Sequence, residues 1–298
     1  MRWPHLAYGT PRKLPKPGQL KGRVIVLDIA FAADVGGGGF ERITKPFIEG
    51  LGQRLARWVD HHDHQLHTHY KQDPRFVLCT KAEHGACPEM ITPELVERTG
   101  AYDTICCHTD FDGLCAAAKW ILLGHEPYPG ADADAYAIDT RLGKPSATGI
   151  LIDQALRAQP KSNYLRDTIV HYLASSLSDS HCLKTIESAA NQWQSLEESS
   201  ERLAQQYQVA HGVATVDATT FNDTYDKTWL LLLGQELAPI SVVYDVHTVT
   251  VAAKFDSGID LLALLGISGG MPTRVSVPRH RLEEVLKALH NMTNKPCV

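Results

Sequence analysis

Three short apolar runs, each closing on an acid or an imidazole, constrain how this 298-residue chain can fold. They are Val24 to Leu27 before Asp28, Trp58-Val59 before Asp60-His61-His62-Asp63-His64, and Thr104 to Cys107 before His108-Thr-Asp110-Phe-Asp112-Gly113. A run that is apolar without alternation suits a strand covered on both faces. Between the runs the period changes: Ile43, Phe47, Leu51 and Leu55 fall four apart after the glycine-rich loop Gly36 to Gly39, joined by Ile48 and Trp58, which is helical spacing. Arg75 to Cys79 reads as another strand, and Pro88 to Arg98 and Leu114 to Leu123 as helices. Such alternation predicts an α/β fold with a parallel, doubly wound sheet, whose sites form beyond the carboxyl ends of the strands. Asp28, Asp60 and His108 all fall at such ends.

Further along, Ala133 to Asp139 is expected to be a strand, Ala147 to Arg157 a helix, and Tyr164 to Leu177 a helix running into Ser178-Asp179-Ser180. Ile186 to Tyr207 is polar with a thin apolar stripe, as a connecting helix would be. The last segment predicts a strand at Val213 to Asp217, a hairpin over Ile240 to Phe255 turning near Asp245 to His247, and two helices around Ser268 to Ser276. The organisation expected is a basic, proline-rich arm (1–22), a larger sheet domain (23–185), a linker helix (186–208) and a smaller α/β domain (209–298). The arm carries Arg2, Arg12, Lys13, Lys16 and Lys21, four prolines and no acid.

Charge narrows the function classes. The chain has 29 Lys and Arg against 34 Asp and Glu, a net charge of −5, which argues against a protein that coats long nucleic acid and favours a short or small anionic substrate. No apolar stretch approaches the roughly 20 residues that span a bilayer, and the proline-rich start lacks a secretory core, so a cytoplasmic protein without membrane attachment is expected. Seven cysteines, an odd count partly set in apolar runs, predict reduced thiols.

At the end of a buried strand, alternate positions of His108-x-Asp110-x-Asp112-Gly113 can aim oxygen and nitrogen ligands into one cavity, with Gly113 permitting the turn into the next helix. A donor set of carboxylate and imidazole without thiolate suits Mn²⁺ or Mg²⁺ better than structural zinc. Asp60-His61-His62 offers a carboxylate beside two imidazoles, one able to ligate and the other to bind phosphate or move a proton. Taken singly, either segment is matched by a solvated loop, and His64, His67 and His69 make the second resemble a histidine-rich surface turn.

Together they resemble the DHH phosphoesterases. Asp60-His61-His62 is similar to the D-H-H signature, and His108-Thr-Asp-Phe-Asp-Gly113 to the H-x-D-x-D-G motif of the RecJ-like and nanoRNase-like branch. Val24 to Asp28 resembles the strand ending in the metal-bridging aspartate, and Leu177-Ser-Asp179 the family's fourth, helix-borne aspartate. Gly269-Gly270-Met271-Pro272-Thr273-Arg274 resembles the phosphate-holding turn of the associated C-terminal domain, with Met271 where histidine is common. The usual motif order is rearranged, as a circular permutation would produce.

The resemblance implies a hydrolase with two Mn²⁺ ions, Mg²⁺ or Co²⁺ being substitutes: one held by His108, Asp110 and Asp28, the other by Asp112, Asp28, His61 and Asp179. It implies that the ions lower the pKa of a bridging water, that His62 binds the phosphate or protonates the leaving oxygen and that Asp60 orients an imidazole. The substrate is then a short oligonucleotide or a small cyclic or linear nucleotide. A pyrophosphatase-like activity and an idle nucleotide-binding regulator are the alternatives, and a homodimer is possible. Arg274 and Arg279 are placed to clamp a phosphate, as are Gly269 and Gly270 by their backbone, while Arg141 is a candidate for reaching a substrate phosphate, or else a surface arginine, and His84 for lining the cleft, or else a polar residue at a helix start.

Overall fold

The computed structural model describes residues 3–35 and 38–293. Arg2 of the expected arm, and Gly36 and Gly37 of the glycine-rich loop, lie outside them. Two compact units divide the chain: Met1–Ala33 with Gly38–Gln192, and Asp34–Gly37 with Trp193–Val298.

The first unit is built on five strands, β1 (His5–Tyr8), β2 (Val24–Leu27), β3 (Leu55–Asp60), β4 (Phe76–Leu78) and β5 (Thr104–Cys107), in the order β1-β5-β2-β3-β4. Every pairing is parallel. All four side chains of β2 are fully buried, because Ile25 and Leu27 enter one apolar cluster and Val24 and Val26 enter another on the opposite face. One face is covered by helix α1 (Lys45–Leu51), through Phe47, Ile48 and Leu51. The other packs on α2 (Pro93–Thr99), α3 (Phe111–Ile121), α4 (Ala131–Thr140), α5 (Ala147–Ala158), α6 (Asn163–Ala174) and α7 (Ser180–Ala190). The parallel, doubly covered sheet expected from the apolar runs is therefore the observed one.

Backbone bonds level the three strand ends that matter. Asp28 N–H donates to the Val59 carbonyl at 2.9 Å, His108 N–H to Leu27 at 3.1 Å, and Cys79 N–H to Asp60 at 2.9 Å. Trp58, fully buried, meets Phe31, Phe47 and Phe76 and donates its indole N–H to the Ile29 carbonyl at 3.0 Å. Burying a side chain of that size contributes roughly 1.5–3 kcal/mol and anchors the strand carrying Asp60 to His62.

Several expectations are corrected. Within the expected arm, His5–Tyr8 forms the edge strand beside β5, an element not foreseen; Tyr8 donates its hydroxyl to Asp167 at 2.7 Å, and Trp3 stacks on His171. Prolines and basic charge masked a strand only four residues long. Leu55 and Trp58 belong to β3 rather than to the helix before it, which ends at Leu51. Ala133 to Asp139 is helical, since alternating alanine and aspartate mimics a strand period while alanine favours helix and the early acids suit its first turn. The single linker helix is two, α7 and α8 (Trp193–Ala204), broken between Ala190 and Trp193.

The second unit carries a mixed sheet of β6 (Gln208–Ala210), β7 (Val213–Asp217), β8 (Ile240–Tyr244), β9 (Thr248–Ala253) and β10 (Arg274–Pro278), in the order β10-β9-β8-β7-β6. β8 and β9 form the expected antiparallel hairpin, β7 and β8 run parallel, and α9 (Lys227–Leu237), α10 (Leu261–Leu265) and α11 (Leu282–Thr293) complete it. Among the described residues no helix is long and apolar enough to cross a membrane, and the cysteines are free.

Gly113 sits where α3 leaves β5, with an ordinary negative φ, so its need is for space rather than for a left-handed turn. A Cβ there would lie 2.9 Å from His108 Cβ and 3.0 Å from the His108 carbonyl carbon and oxygen. Gly→Ala inside a helix ordinarily gains up to about 1 kcal/mol, whereas a forced shift of packed backbone costs about 1–3. Gly113→Ala is expected to lower the melting temperature; a higher one would show that the His108 turn yields freely.

Candidate metal centre

Beyond the carboxyl ends of β2, β3 and β5 the side chains converge on Asp28. This residue is 1% exposed and adopts φ +58°, a left-handed conformation rare outside glycine and tolerated best by Asp and Asn. Strain of this kind, held by the levelled backbone bonds, turns its carboxylate across the strand ends. Three sets of donor atoms lie within 4.8 Å of one another: Asp28, His61 and His62; Asp28, His108 and Asp110; and His61, Asp112 and Asp139.

His61 is fully buried; its Nδ1–H donates to the His84 carbonyl at 2.9 Å, turning Nε2 toward Asp28 Oδ1 at 3.0 Å and Asp112 Oδ2 at 3.3 Å. A backbone acceptor on one ring nitrogen is the usual device for presenting the other as a ligand. His62 donates Nδ1–H to Asp60 Oδ1 at 2.8 Å. Burial, with Lys81 and His61 nearby, holds the His62 ring well below the usual histidine range and so neutral, with a lone pair on Nε2. His108 Nδ1 approaches Asp110 Oδ2 at 2.6 Å and Asp28 Oδ2 at 3.5 Å.

Two residues of this centre carry no motif signal. Asp139, at the end of α4, reaches to 3.8 Å from His61 Nε2. Lys81, 3% exposed in the turn after β4, donates from Nζ to Asp139 Oδ2 and lies 2.9 Å from His61 Nε2. Burial opposes its charge, but Asp139, Asp112 and Asp28 outweigh that and raise its pKa, so the side chain is an ammonium. Burial alone would raise Asp139, yet the Lys81 ammonium beside it holds it at about 2.

Of the residues singled out in the sequence, Asp28, Asp60, His61, His62, His108, Asp110 and Asp112 come together. Asp179 does not: it is exposed, and its carboxylate caps α7 by accepting from His181 and Cys182 N–H at 2.9 and 3.0 Å, a role that Ser-Asp-Ser before a helix commonly plays. Asp139 instead shares a group of donor atoms with His61 and Asp112. His84 contributes its carbonyl, while its ring lies 3.8 Å from Glu89. Arg141, exposed at the end of α4, faces Asp153 at 3.7 Å. In the second unit Arg274 donates to Thr228 Oγ1 at 3.1 Å, Arg279 lies 4.7 Å over the Tyr244 ring, and Gly270 takes φ +126°, which favours glycine.

The donors fit a hard divalent cation. Asp28 Oδ2 and Asp110 Oδ1 are buried without a hydrogen-bond partner, and unsatisfied buried carboxylate oxygens on two residues of one cluster are costly unless a cation takes them. Cys87 and Cys107, buried nearby, are held as thiols, because burial and then, for Cys87, the Asp28 carboxylate push their pKa well up. Oxygen and imidazole remain as the ligands, the preference of Mn²⁺ and Mg²⁺ rather than of thiolate zinc.

Among solved structures, the chain is similar to the DHH domain of a member of a family of ribosomal proteins, with a TM-score of 0.52 and 14% identity over 92% of this chain and 70% of that one. The chain has the fold of a DHH domain. A pGpG-specific phosphodiesterase, PggH from Vibrio cholerae, also matches, with a TM-score of 0.42 and 12% identity over 92% of this chain and 99% of that one. No family model and no curated protein matches the chain. In this DHH fold the Asp60-His61-His62 and His108 to Asp112 strands flank β2, side by side whatever their order along the chain.

His67 backs the centre from a one-turn helix (His67–Tyr70), edge-on to Phe31 at 5.2 Å, with Nε2 3.9 Å from Asp60 Oδ2. Burial, only partly offset by Asp60, lowers its pKa to about 4. A group depressed on folding leaves its stabilisation intact above the unfolded value near 6.5 and loses it as pH falls toward 4, because the unfolded chain binds the proton first. The loss approaches about 3 kcal/mol at the acid end. Unfolding titrations from pH 7 to 4 are expected to show a shallower decline for His67→Phe than for the wild type; equal slopes would refute the assignment.

Proposed function

We propose that this chain is a divalent-metal-dependent phosphodiesterase that hydrolyses short oligonucleotides or small cyclic or linear nucleotides. The observation that carries the reading is the sharing of one strained, buried carboxylate, Asp28, between a His61–His62 cluster and a His108–Asp110 cluster. In this reading Asp28, His108 and Asp110 hold the ion directly, and His61, Asp112 and Asp139 form the facing cluster. A bound ion supplies a Lewis acid that withdraws charge from phosphoryl oxygens and lowers the pKa of water.

The chain's own groups do the rest. His62, neutral and with Nδ1–H fixed on Asp60, uses the Nε2 lone pair to accept a proton from the attacking water as its oxygen bonds to phosphorus. It then passes that proton to the leaving oxygen as the scissile P–O bond breaks. Asp60 stabilises the imidazolium between the two transfers, as a carboxylate behind a catalytic histidine does. The His84 carbonyl keeps His61 turned inward. The acidic balance of the chain favours a short substrate over a long polyanion. We attribute the order of the motifs to circular permutation and assign the second unit, through Gly269, Gly270, Arg274 and Arg279, to substrate phosphate.

The test is a screen of the Mn²⁺-supplemented protein against short RNA, short DNA, linear and cyclic dinucleotides and inorganic pyrophosphate. Hydrolysis of a phosphodiester is expected, with Asp28→Asn reducing kcat on the order of a thousandfold while the melting curve stays cooperative. Turnover of pyrophosphate alone, or activity unchanged in Asp28→Asn, would overturn the reading.

A further inference from the structure

The two halves of the metal centre are not equivalent. Around Asp28, His108 and Asp110, two buried carboxylate oxygens lack hydrogen-bond partners, Asp28 Oδ2 and Asp110 Oδ1, and His108 Nδ1 faces Asp110 Oδ2 at 2.6 Å. In the facing cluster no such atom occurs among the described residues. Its Asp139 Oδ2 accepts from Lys81 Nζ, Asp112 Oδ2 accepts from Cys87 N–H at 3.3 Å, and His61 Nε2 faces Asp28 Oδ1, Asp112 Oδ2 and Lys81 Nζ. Lys81 Nζ stands 2.9 Å from His61 Nε2, inside a group whose donor atoms lie within 4.8 Å of one another. A buried ammonium and a divalent ion would have to share that space, and repulsion between them at such a separation in a low-dielectric site is severe.

We propose that Lys81 is the built-in cation of the facing cluster, so that the chain takes one divalent ion, at Asp28, His108 and Asp110, where two would otherwise be expected. The inference rests on the metal-dependent reading above and deepens it. One divalent ion and one ammonium offset three of the four charges of Asp28, Asp110, Asp112 and Asp139, and neither half is left as a bare acid cluster. Lysine suits the post because its compact point charge on a flexible stem reaches the centre from a turn. The turn is itself anchored, Lys81 N–H donating to Asp63 Oδ2 at 3.2 Å.

The experiment is metal counting on the full chain: strip with chelator, equilibrate with excess Mn²⁺, remove unbound ion, and measure Mn per chain by elemental analysis together with the frozen-solution EPR spectrum. The wild type is expected to hold one ion with the resolved hyperfine pattern of isolated Mn²⁺. Lys81→Met is expected to take up a second, with the spectrum broadened by coupling between neighbouring ions. Saturation of the wild type at two ions overturns the lysine assignment while leaving a metal-dependent hydrolase in place, and so does a folded Lys81→Met chain that stays at one. The wild-type count decides even if the variant fails to fold. No bound ion at all, or a single ion undisturbed by Asp110→Ala, overturns both this inference and the function on which it rests.

Discussion

Concentrated buried acid is the constraint around which the first unit is organised. Asp28, Asp60 and Asp112 are all nearly inaccessible and Asp139 is only slightly less so, within the reach of a few side chains. Like charges at that spacing in a low dielectric repel strongly, so the arrangement persists only with positive charge among them. The protein supplies part of it in Lys81 and in imidazoles that share protons with carboxylates. The remaining demand is concentrated on the unpartnered carboxylate oxygens of Asp28 and Asp110, beside His108.

The sheet makes this concentration possible. Three adjacent parallel strands end level with one another, held by backbone bonds from Asp28, His108 and Cys79, and each end carries acid or imidazole. Apolar clusters on both faces fix the strands, so the side chains beyond their ends inherit the register of the core. A parallel sheet closes such a site independently of the order in which the chain visits its strands, because ligands need only be neighbours in space.

What could be read from the sequence follows the same division. Asp28, Asp60, His61, His62, His108, Asp110 and Asp112 are legible because a wholly apolar run marks a covered strand and a polar cluster after it marks the strand's carboxyl end. Asp139 is not, since it ends a helix whose alternating alanines and aspartates imitate a strand, and no apolar approach announces it. Asp179 attracts the role instead because it follows an apolar helix, although Ser-Asp-Ser there serves a helix cap. Lys81 is invisible to motif reading: a lysine in a turn is ordinarily solvated, and only the fold reveals it to be buried. His84 acts through its carbonyl, a contribution that side-chain identity does not encode. Strand β1 was hidden by prolines around a segment too short to show a period.

The central claim is that a divalent ion binds at Asp28, His108 and Asp110, where two buried carboxylate oxygens are left unsatisfied. Crystals grown or soaked with Mn²⁺ and measured for anomalous scattering test it most directly. The expected result is a strong anomalous peak in contact with these three side chains, with Lys81 Nζ still seated between His61 and Asp139. A peak elsewhere on the molecule, or none with the ion in excess, would contradict it.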